Sequence, residues 1–435
     1  SGCSGRSSNF YAPSHIFFVF LQVHQSRRGV MKFFRKGYLL APVLGAFWML
    51  ILATSVSIIM SFSTGGAFKP DVFYSLFLGT LYGLVFINYK NWPRSTGIAV
   101  FGVILILSPI YGPIESSSKF LDIPHQVLIN GPISVLFLLV LSKTLKDIPA
   151  SALSRHEFED CLARFLTGFG YIFFTAIVII PFYVMLLTSL KNQSELLFNP
   201  LDFSLDFSKG ISLFRSYFEL FSQFNFGNYL GVSFFVSVLT VIITLVFAIP
   251  GAYAVARLKF KGRSIFSRSI LLIYMVPLIV LALPIYIVFS MVGLRNSIFG
   301  ILLIYPVTTI PVALYMLQGY FRTIPLEIEE SGLMDGLSRL SVIWKITLPL
   351  SLPSLASVSL YIFMIAWNEF LLAFMLLDDP SKFTLTRGVA MLDSSEVPRQ
   401  HLMAGSVVAT IPIMIIFLGL ERFISKGLTS GSVKG

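Results

Sequence analysis

The chain has 435 residues, of which 55% are hydrophobic and 12% are charged, and its formal net charge at pH 7 is +11. Soluble domains carry roughly a quarter of charged residues, so this composition excludes an ordinary soluble protein and indicates one that crosses a membrane several times. The apolar residues do not alternate, and lipid offers no water to exposed backbone groups, so we expect helical spans rather than a β-barrel.

Ten uncharged runs can each hold the roughly 20 residues that cross a hydrocarbon core as a helix. The second, third and fourth of these runs are short or interrupted by Pro and Gly, which leaves tilted or re-entrant segments open as alternatives. The runs cover residues 37–68, 72–89, 95–114, 123–142, 165–190, 220–256, 269–294, 296–321, 346–368 and 400–420. The sequence therefore predicts an all-α polytopic membrane protein with six C-terminal spans and about four extra N-terminal spans.

The spacing of charged stretches predicts how the chain is divided. We expect a cytoplasmic N-terminal arm, an accessory block of about four transmembrane helices, a cytoplasmic linker, a six-span domain and a C-terminal tail. The predicted bounds are 1–36, 37–142, 143–164, 165–424 and 425–435. Because MKFFRK at 31–36 is typical of a natural initiator with a basic flank, we take residues 1–30 as upstream translation or a disordered arm.

The Lys and Arg residues predict the orientation. If both termini are cytoplasmic, 23 of the 32 basic residues lie in the cytoplasmic segments. Cytoplasmic loops carry such an excess in membrane proteins, so we expect both termini in the cytoplasm. The two cysteines, Cys3 and Cys161, both fall on this reducing side, where a disulfide is not expected.

The loop at residues 322–353 reads RTIPLEIEESGLMDGLSRLSVIWKITLPLSLP. Pro325 suits the first turn of a helix, and we predict a short cytoplasmic helix at 325–335. Gly336 permits a sharp turn, and Ser338 can cap a second helix that stops near Pro349. The sequence therefore predicts a helix, a bend and a second helix.

Two glycines in this loop, Gly332 and Gly336, are one helical turn apart and are predicted to form a surface without side chains. Glu329, Glu330 and Asp335 are predicted to surround it with negative charge. A small centre with an acidic rim suits docking into a groove on a cytoplasmic partner. A solvated loop that merely joins two spans is the alternative, and these residues leave both open.

The loop resembles the EAA loop of binding-protein-dependent ABC importer permeases. The similarity lies in Glu330, Ser331 and Gly332, then in Asp335 and Gly336, and then in ITLPLSLPSL at its end. Ser331 and Gly332 replace two alanines of the family pattern, and a leucine follows Gly336 where the family has a third.

Four further stretches resemble the maltose-type sugar permease subunit. These are GAYAVARLKFKGR at 251–263, QGYFRTIP at 318–325, AWNEFLLA at 366–373 and GLTSGSVKG at 427–435. The resemblance covers about 165–435, and the first four predicted spans have no counterpart in it. Several motifs in the right order are far more specific than one short motif.

This resemblance implies a six-span ABC importer permease that translocates a carbohydrate, either an oligosaccharide or a sugar phosphate, across the bacterial inner membrane. It implies four partners: a second permease subunit, two ATP-binding subunits and an extracytoplasmic solute-binding protein. The chain has no G-x-x-x-x-G-K-[ST] phosphate loop, so we expect it to be no enzyme and to hold no cofactor. ATP and Mg²⁺ are expected on the partner ATPases.

The resemblance also implies which residues couple this chain to the ATPases. In the loop these are Glu329, Glu330, Ser331, Gly332, Asp335 and Gly336. In the family the C-terminal tail inserts between the two ATPases, which implies contacts from Gly427, Leu428, Thr429, Gly431 and Lys434.

Two other regions have a functional and a structural interpretation. Asn368 and Glu369 fall near the outer half of a predicted span, where a charge is costly and faces protein or water. They are either pathway or gate residues or buried groups that fix helix packing. The outer loop at 378–399 corresponds by position to the family segment that enters a sugar-binding protein, and an ordinary connecting loop is the alternative.

An ion-coupled secondary transporter is the alternative function. It would need acids or bases within several spans, and only Glu369 is a candidate. A membrane-embedded enzyme is disfavoured because no set of Asp, His or Cys residues clusters at one predicted membrane depth.

Overall fold

The computed structural model describes residues 35–88, 112–116, 123–198, 204–394 and 396–429. Helices dominate these ranges, and one short antiparallel pair joins strand β1 (Phe68–Pro70) to strand β2 (Ile114–Ser116). The prediction of an all-α membrane protein is therefore confirmed. The chain divides into two compact units, with Met185–Phe198 and the residues from Asp206 onward in the second.

The first unit contains two helices close together in the chain, α1 (Gly37–Thr64) and α2 (Val72–Asn88), followed by α3 (Ile123–Thr144) and most of α4 (Arg155–Ser189). Its core is largely apolar, and its buried polar contacts include one in which Trp48 Nε1 donates to Thr144 Oγ1 at 3.1 Å.

Helices α1 and α2 approach one another at glycines. A Cβ atom on Gly79 would lie 2.4 Å from the carbonyl oxygen of Gly45, and one on Gly83 would lie 2.2 Å from that of Ala41. Gly79 and Gly83 are four residues apart, the spacing by which small residues let two helix backbones meet in a membrane. The core of the first unit therefore depends on backbone contacts as well as on large side chains.

The second unit contains twelve helices within the described part of the chain. They are α5 (Gln193–Phe198), α6 (Arg215–Gln223), α7 (Phe226–Arg257), α8 (Arg263–Tyr274), α9 (Leu278–Met291), α10 (Ile298–Phe321), α11 (Leu326–Met334), α12 (Arg339–Leu350), α13 (Leu352–Asn368), α14 (Leu371–Leu376), α15 (Leu385–Leu392) and α16 (Arg399–Thr429). Helices α7 and α10 pack side by side, and buried Thr244 and Thr309 share a hydrogen bond of 2.6 Å between them.

Five helices in the described ranges are long and apolar enough to cross a membrane, and α12 with α13 forms a sixth candidate that is bent by 82°. The five are α1, α4, α7, α10 and the part of α16 that ends at Glu421. In the N-terminal block, α2 and the Gly131–Thr144 part of α3 are shorter apolar helices, and most of the predicted 95–114 span lies outside the described residues. The four extra spans therefore stay a prediction.

The prediction of one continuous span at 269–294 is wrong. Helix α8 ends at Tyr274, and α9 begins only at Leu278, after Pro277 in an extended conformation. Proline lacks the N–H that a continuous helix would need at this position. The predicted 346–368 span is also bent, since the chain turns at Ser351 between α12 and α13.

Candidate functional site

The bent segment, defined as residues 325–350, follows α10 and lies against the end of α7. Its first helix, α11, begins after Pro325 and ends at a glycine turn. Gly336 has φ +85°, its N–H donates to Leu333 O at 3.1 Å, and Leu337 N–H donates to Gly332 O at 3.1 Å. This pair of bonds closes a helix whose next residue is left-handed, so the predicted turn at Gly336 is confirmed.

The second helix of the bent segment, α12, is capped as predicted. Ser338 Oγ accepts from Ser341 N–H at 3.3 Å. The helix widens into a π turn at Ile343–Thr347 and ends at Leu350, just beyond the predicted stop at Pro349. The helix–bend–helix prediction is therefore confirmed.

A buried carboxylate fastens the bent segment from within. Glu329 accepts hydrogen bonds from Arg257 Nε, Tyr253 OH and Thr347 Oγ1, each at 3.2 Å. The Arg257 and Glu329 side chains are only 6% and 5% exposed, and Arg257 Nη2 also donates to Ile324 O at 2.6 Å. The prediction that Glu329 belongs to an exposed acidic rim is wrong, because Arg257 pairs with its charge inside the fold.

Gly332 also faces inward. An added Cβ would lie 2.5 Å from Ile346 Cδ1, so α11 and α12 pack closely at this point. The prediction that Gly332 forms a bare outer surface is therefore wrong. Gly336 is exposed and has nothing within 4 Å of an added Cβ, as predicted.

The exposed face of the bent segment carries large apolar side chains beside its acids. Glu330, Ser331 and Asp335 are exposed, and Met334, Leu340 and Trp344 are 87%, 70% and 70% exposed. The sequence analysis missed these three apolar residues. A signal was present, since Leu340 and Trp344 are four apart on a helix and thus share one side of it.

The turn at Gly336 gives a first prediction. Replacing Gly336 by alanine should lower the free energy of unfolding by about 1–2 kcal/mol, because φ +85° disfavours a Cβ although the space is open. Asparagine should cost less, since it visits this conformation more readily. Thermal unfolding in detergent measures both, and Gly319→Ala, in the open interior of α10, is the matched control that should cost nothing.

The two candidate pathway residues have local partners in the structure. The Glu369 carboxylate accepts from the backbone N–H groups of Leu372 at 2.8 Å and Ala373 at 3.1 Å, in the first turn of α14. Asn368 is exposed, and its Nδ2 donates to Met364 O at 2.9 Å. This arrangement favours the packing interpretation of Glu369, and a gate role for either residue stays a prediction.

The C-terminal contact residues are only partly described. The backbone of Gly427, Leu428 and Thr429 continues α16 as helix, whereas Gly431 and Lys434 lie outside the described residues. Their predicted contact with ATPases stays a prediction.

The outer loop at 378–399 is folded onto α7 in its described part. Leu385 N–H donates to Ser233 Oγ at 2.6 Å, and a Cβ on Gly388 would lie 2.2 Å from the Tyr229 ring. The Arg387 guanidinium lies over the Phe374 ring, 4.1 Å from its centre. This loop is therefore held in place by buried contacts rather than only by its ends.

A buried histidine that the sequence analysis had not singled out joins α6 to α16. His401 Nε2 lies 2.9 Å from Glu219 Oε2. Hydrogen bonds from Arg215 and then from His401 lower the pKa of the Glu219 carboxyl. Within the described residues, no three His, Cys, Asp or Glu side chains are grouped so that they could hold a metal ion.

The fold is that of a multi-span helical membrane protein, and comparison with known proteins assigns it to a class, the permeases of ABC importers. Residues 248–430 match the family described as "Binding-protein-dependent transport system inner membrane component". The chain is 37% identical over 274 residues to the inner membrane ABC transporter permease protein YcjP of Escherichia coli, a match that covers 61% of this chain and 95% of that protein. The chain therefore belongs to this family of transmembrane permeases, whose members are not enzymes.

The maltose-type resemblance is also confirmed. The chain is 32% identical to the trehalose/maltose transport system permease protein MalG of Thermococcus litoralis, over 64% of this chain and 99% of that protein. A crystal structure of a bacterial ABC transporter involved in the import of the acidic polysaccharide alginate contains a similar chain, with a TM-score of 0.53 and 21% identity. That match covers 62% of this chain and 98% of the other and supports the permease fold.

Proposed function

We propose that this chain is the permease subunit of an ATP-driven importer that moves a carbohydrate, an oligosaccharide or a sugar phosphate, across the bacterial inner membrane. It works with a second permease subunit, two ATP-binding subunits and an extracytoplasmic solute-binding protein, and both of its termini face the cytoplasm. Family membership supports the assembly. The trehalose and maltose in one relative's name and the alginate of the similar structure support the carbohydrate class.

The bent segment carries the proposal for coupling. Glu329 ties α11 to the end of α7 through Arg257 and to α12 through Thr347, and α12 leads directly into the bend before α13. A push on the exposed face is therefore transmitted to at least two long helices. ATP and Mg²⁺ are bound by the partner ATPases, and this chain converts their closure into movement of its spans.

The exposed face has the composition of a docking surface. Met334, Leu340 and Trp344 offer apolar area, and Glu330 and Asp335 lie beside them. Protein interfaces commonly place apolar and aromatic residues at the centre and polar residues at the rim, and Trp is prominent among residues that dominate binding energy. This face therefore fits a groove on an ATP-binding subunit.

The docking proposal gives a second prediction. Met334→Ala should weaken association with the ATP-binding subunit about fivefold to thirtyfold, because truncating a central apolar contact costs roughly 1–2 kcal/mol. Met291 is the matched control, since it is also a methionine and is 81% exposed against 87% for Met334. Met291 is the last residue of α9 and lies outside the bent segment. The turn that follows it contacts the outer loop, where Asp378 N–H donates to Asn296 Oδ1.

Pull-down of the ATP-binding subunit by each variant measures this effect. Met291→Ala should bind as the original chain does. Equal binding by all three proteins would contradict docking at the exposed face.

The transport function is tested with the co-expressed complex in proteoliposomes. We expect ATP-dependent accumulation of one member of a panel of monosaccharides, oligosaccharides and sugar phosphates, and its loss in Gly336→Trp and Glu330→Lys. Glu327→Lys, on the same helix and also exposed, should retain uptake. Accumulation that needs an ion gradient and no ATP would overturn the proposal in favour of a secondary transporter.

A further inference from the structure

The first unit contains a cleft of about 650 Å³ between α1, α3 and α4. Its floor is formed by Trp48, which donates to Thr144, and its opening carries two basic residues. Lys143 and Arg164 are both exposed and line the cleft. Gly168, Tyr171 and Ile172 of α4 also line the cleft.

The charge of this cleft is unbalanced. The one acid among its lining residues is Asp160, whose Oδ2 lies 2.9 Å from His156 Nδ1. Arg164 donates one Nη1 hydrogen bond to Lys146 O at 2.7 Å, which leaves the other side of its guanidinium available. No hydrogen bond or ion pair to Lys143 is found among the described residues. The cleft therefore carries two basic residues against one acid, and neither basic side chain forms an ion pair among the described residues.

An apolar cleft of about 620 Å³ continues from the basic one along α1 and α4. The two clefts share Tyr171 and Ile172. The second is lined almost entirely by apolar groups, among them Ile58, Ile59, Phe62 and Ile179. A single groove thus has a basic end and an apolar length.

The position of the basic end along the helices matches a membrane boundary. Arg164 is the last charged residue of α4 before an uncharged run at 165–190, and Lys143 directly follows the uncharged run at 123–142. With a rise of about 1.5 Å per residue, Ile179 lies about 22 Å along α4 from Arg164. One leaflet of the hydrocarbon core is about 15 Å deep, so the groove is long enough for an acyl chain.

We propose that the two clefts together bind one anionic phospholipid, with its phosphate between Lys143 and Arg164 and one acyl chain along the groove between α1 and α4. Basic pockets between transmembrane helices are known to hold anionic headgroups. A zwitterionic lipid such as phosphatidylcholine would bring a quaternary ammonium close to the two basic residues, and a free phosphate would leave the apolar groove unused. The juxtaposition of the basic opening and the apolar groove therefore fits a phospholipid better than either.

The experiment uses the purified full chain, stripped of lipid in detergent, and native mass spectrometry to count bound lipid. Dioleoyl phosphatidylglycerol and dioleoyl phosphatidylcholine are the two probes. We expect phosphatidylglycerol to bind roughly tenfold more tightly, as two basic residues near the membrane surface would supply.

Lys143→Gln and Arg164→Gln, singly and together, should reduce this preference, and the double variant should abolish it. Lys146→Gln is the matched control, because Lys146 lies two residues after Thr144 at the same end but does not line the cleft. It should keep the full preference. If the double variant fails to fold, a reduced preference for phosphatidylglycerol in Lys143→Gln alone tests the proposal.

Two results would overturn the proposal. One is equal binding of the two lipids by the original chain, and the other is an equal loss of preference in Lys146→Gln. Competition with inorganic phosphate distinguishes a site for a lipid headgroup from a site for a free anion. Displacement of phosphatidylglycerol by phosphate at similar concentration would assign the basic end to a free anion instead of a lipid.

Discussion

Replacing Glu329 by glutamine should lower the free energy of unfolding of the detergent-solubilised chain by about 3–5 kcal/mol, because it leaves the buried charge of Arg257 without an opposite charge. Tyr253 and Thr347 would also keep only a neutral acceptor in place of a carboxylate. Thermal unfolding followed by size-exclusion chromatography measures the loss. Because the same pair fastens the bent segment, ATP-driven uptake should fall with it.

Glu330 provides a matched control one residue away. It carries the same side chain on the same helix and is exposed, so Glu330→Gln should leave the stability within about 0.5 kcal/mol of the original chain, as surface substitutions usually do. If both glutamine variants unfold at the temperature of the original chain, the buried ion pair does not hold the segment.

The helix ends and the turn of the bent segment could be predicted from the sequence. Which of its side chains are buried and which are exposed could not. Backbone geometry and capping act over only a few residues, as they do at Pro325, Gly336 and Ser338. Their effects can therefore be predicted from the neighbouring residues in the sequence alone. Glu329 and Glu330 are adjacent and identical in type. Glu329 is the buried one because it pairs with Arg257, which lies 72 residues earlier in the chain. A pattern of neighbouring residues cannot reveal a partner so far away in the sequence.

The same limit applies to the spans. Uncharged runs locate apolar helices because charge is costly in lipid, and they located α7, α10 and α16 correctly. They do not show where a helix breaks inside an apolar run. The interruption before Leu278 and the 82° bend at Ser351 both occur without a charge to mark them.

The position of Glu369 is informative for the choice between transport mechanisms. A proton- or ion-coupled carrier would need this carboxylate to be available, but it accepts two backbone hydrogen bonds at the start of α14. Those bonds satisfy N–H groups that a helix leaves without partners in its first turn. A fixed structural role for this acid favours a transporter whose driving force comes from partner subunits.

The N-terminal unit depends on a close backbone approach, and this gives a prediction of large effect. Gly79→Ala should destabilise the unit by about 3 kcal/mol, the upper end of the usual cost of overpacking. The added Cβ would lie 2.4 Å from Gly45 O and 2.7 Å from Ala46 Cα. Both are backbone atoms, so α1 and α2 would have to move apart rather than change a rotamer.

Gly170 is the control that separates crowding from the general effect of alanine in a helix. It lies inside α4, and the nearest atoms to an added Cβ are ring carbons of Phe174 at 4.0 Å. Gly170→Ala should therefore stabilise the chain by up to about 1 kcal/mol, since alanine loses less conformational freedom than glycine. Limited proteolysis of the N-terminal unit and thermal unfolding measure both variants. Equal stability of the two would mean that α1 and α2 are not packed through their glycines, whereas selective loss in Gly79→Ala would establish that small residues hold this unit together.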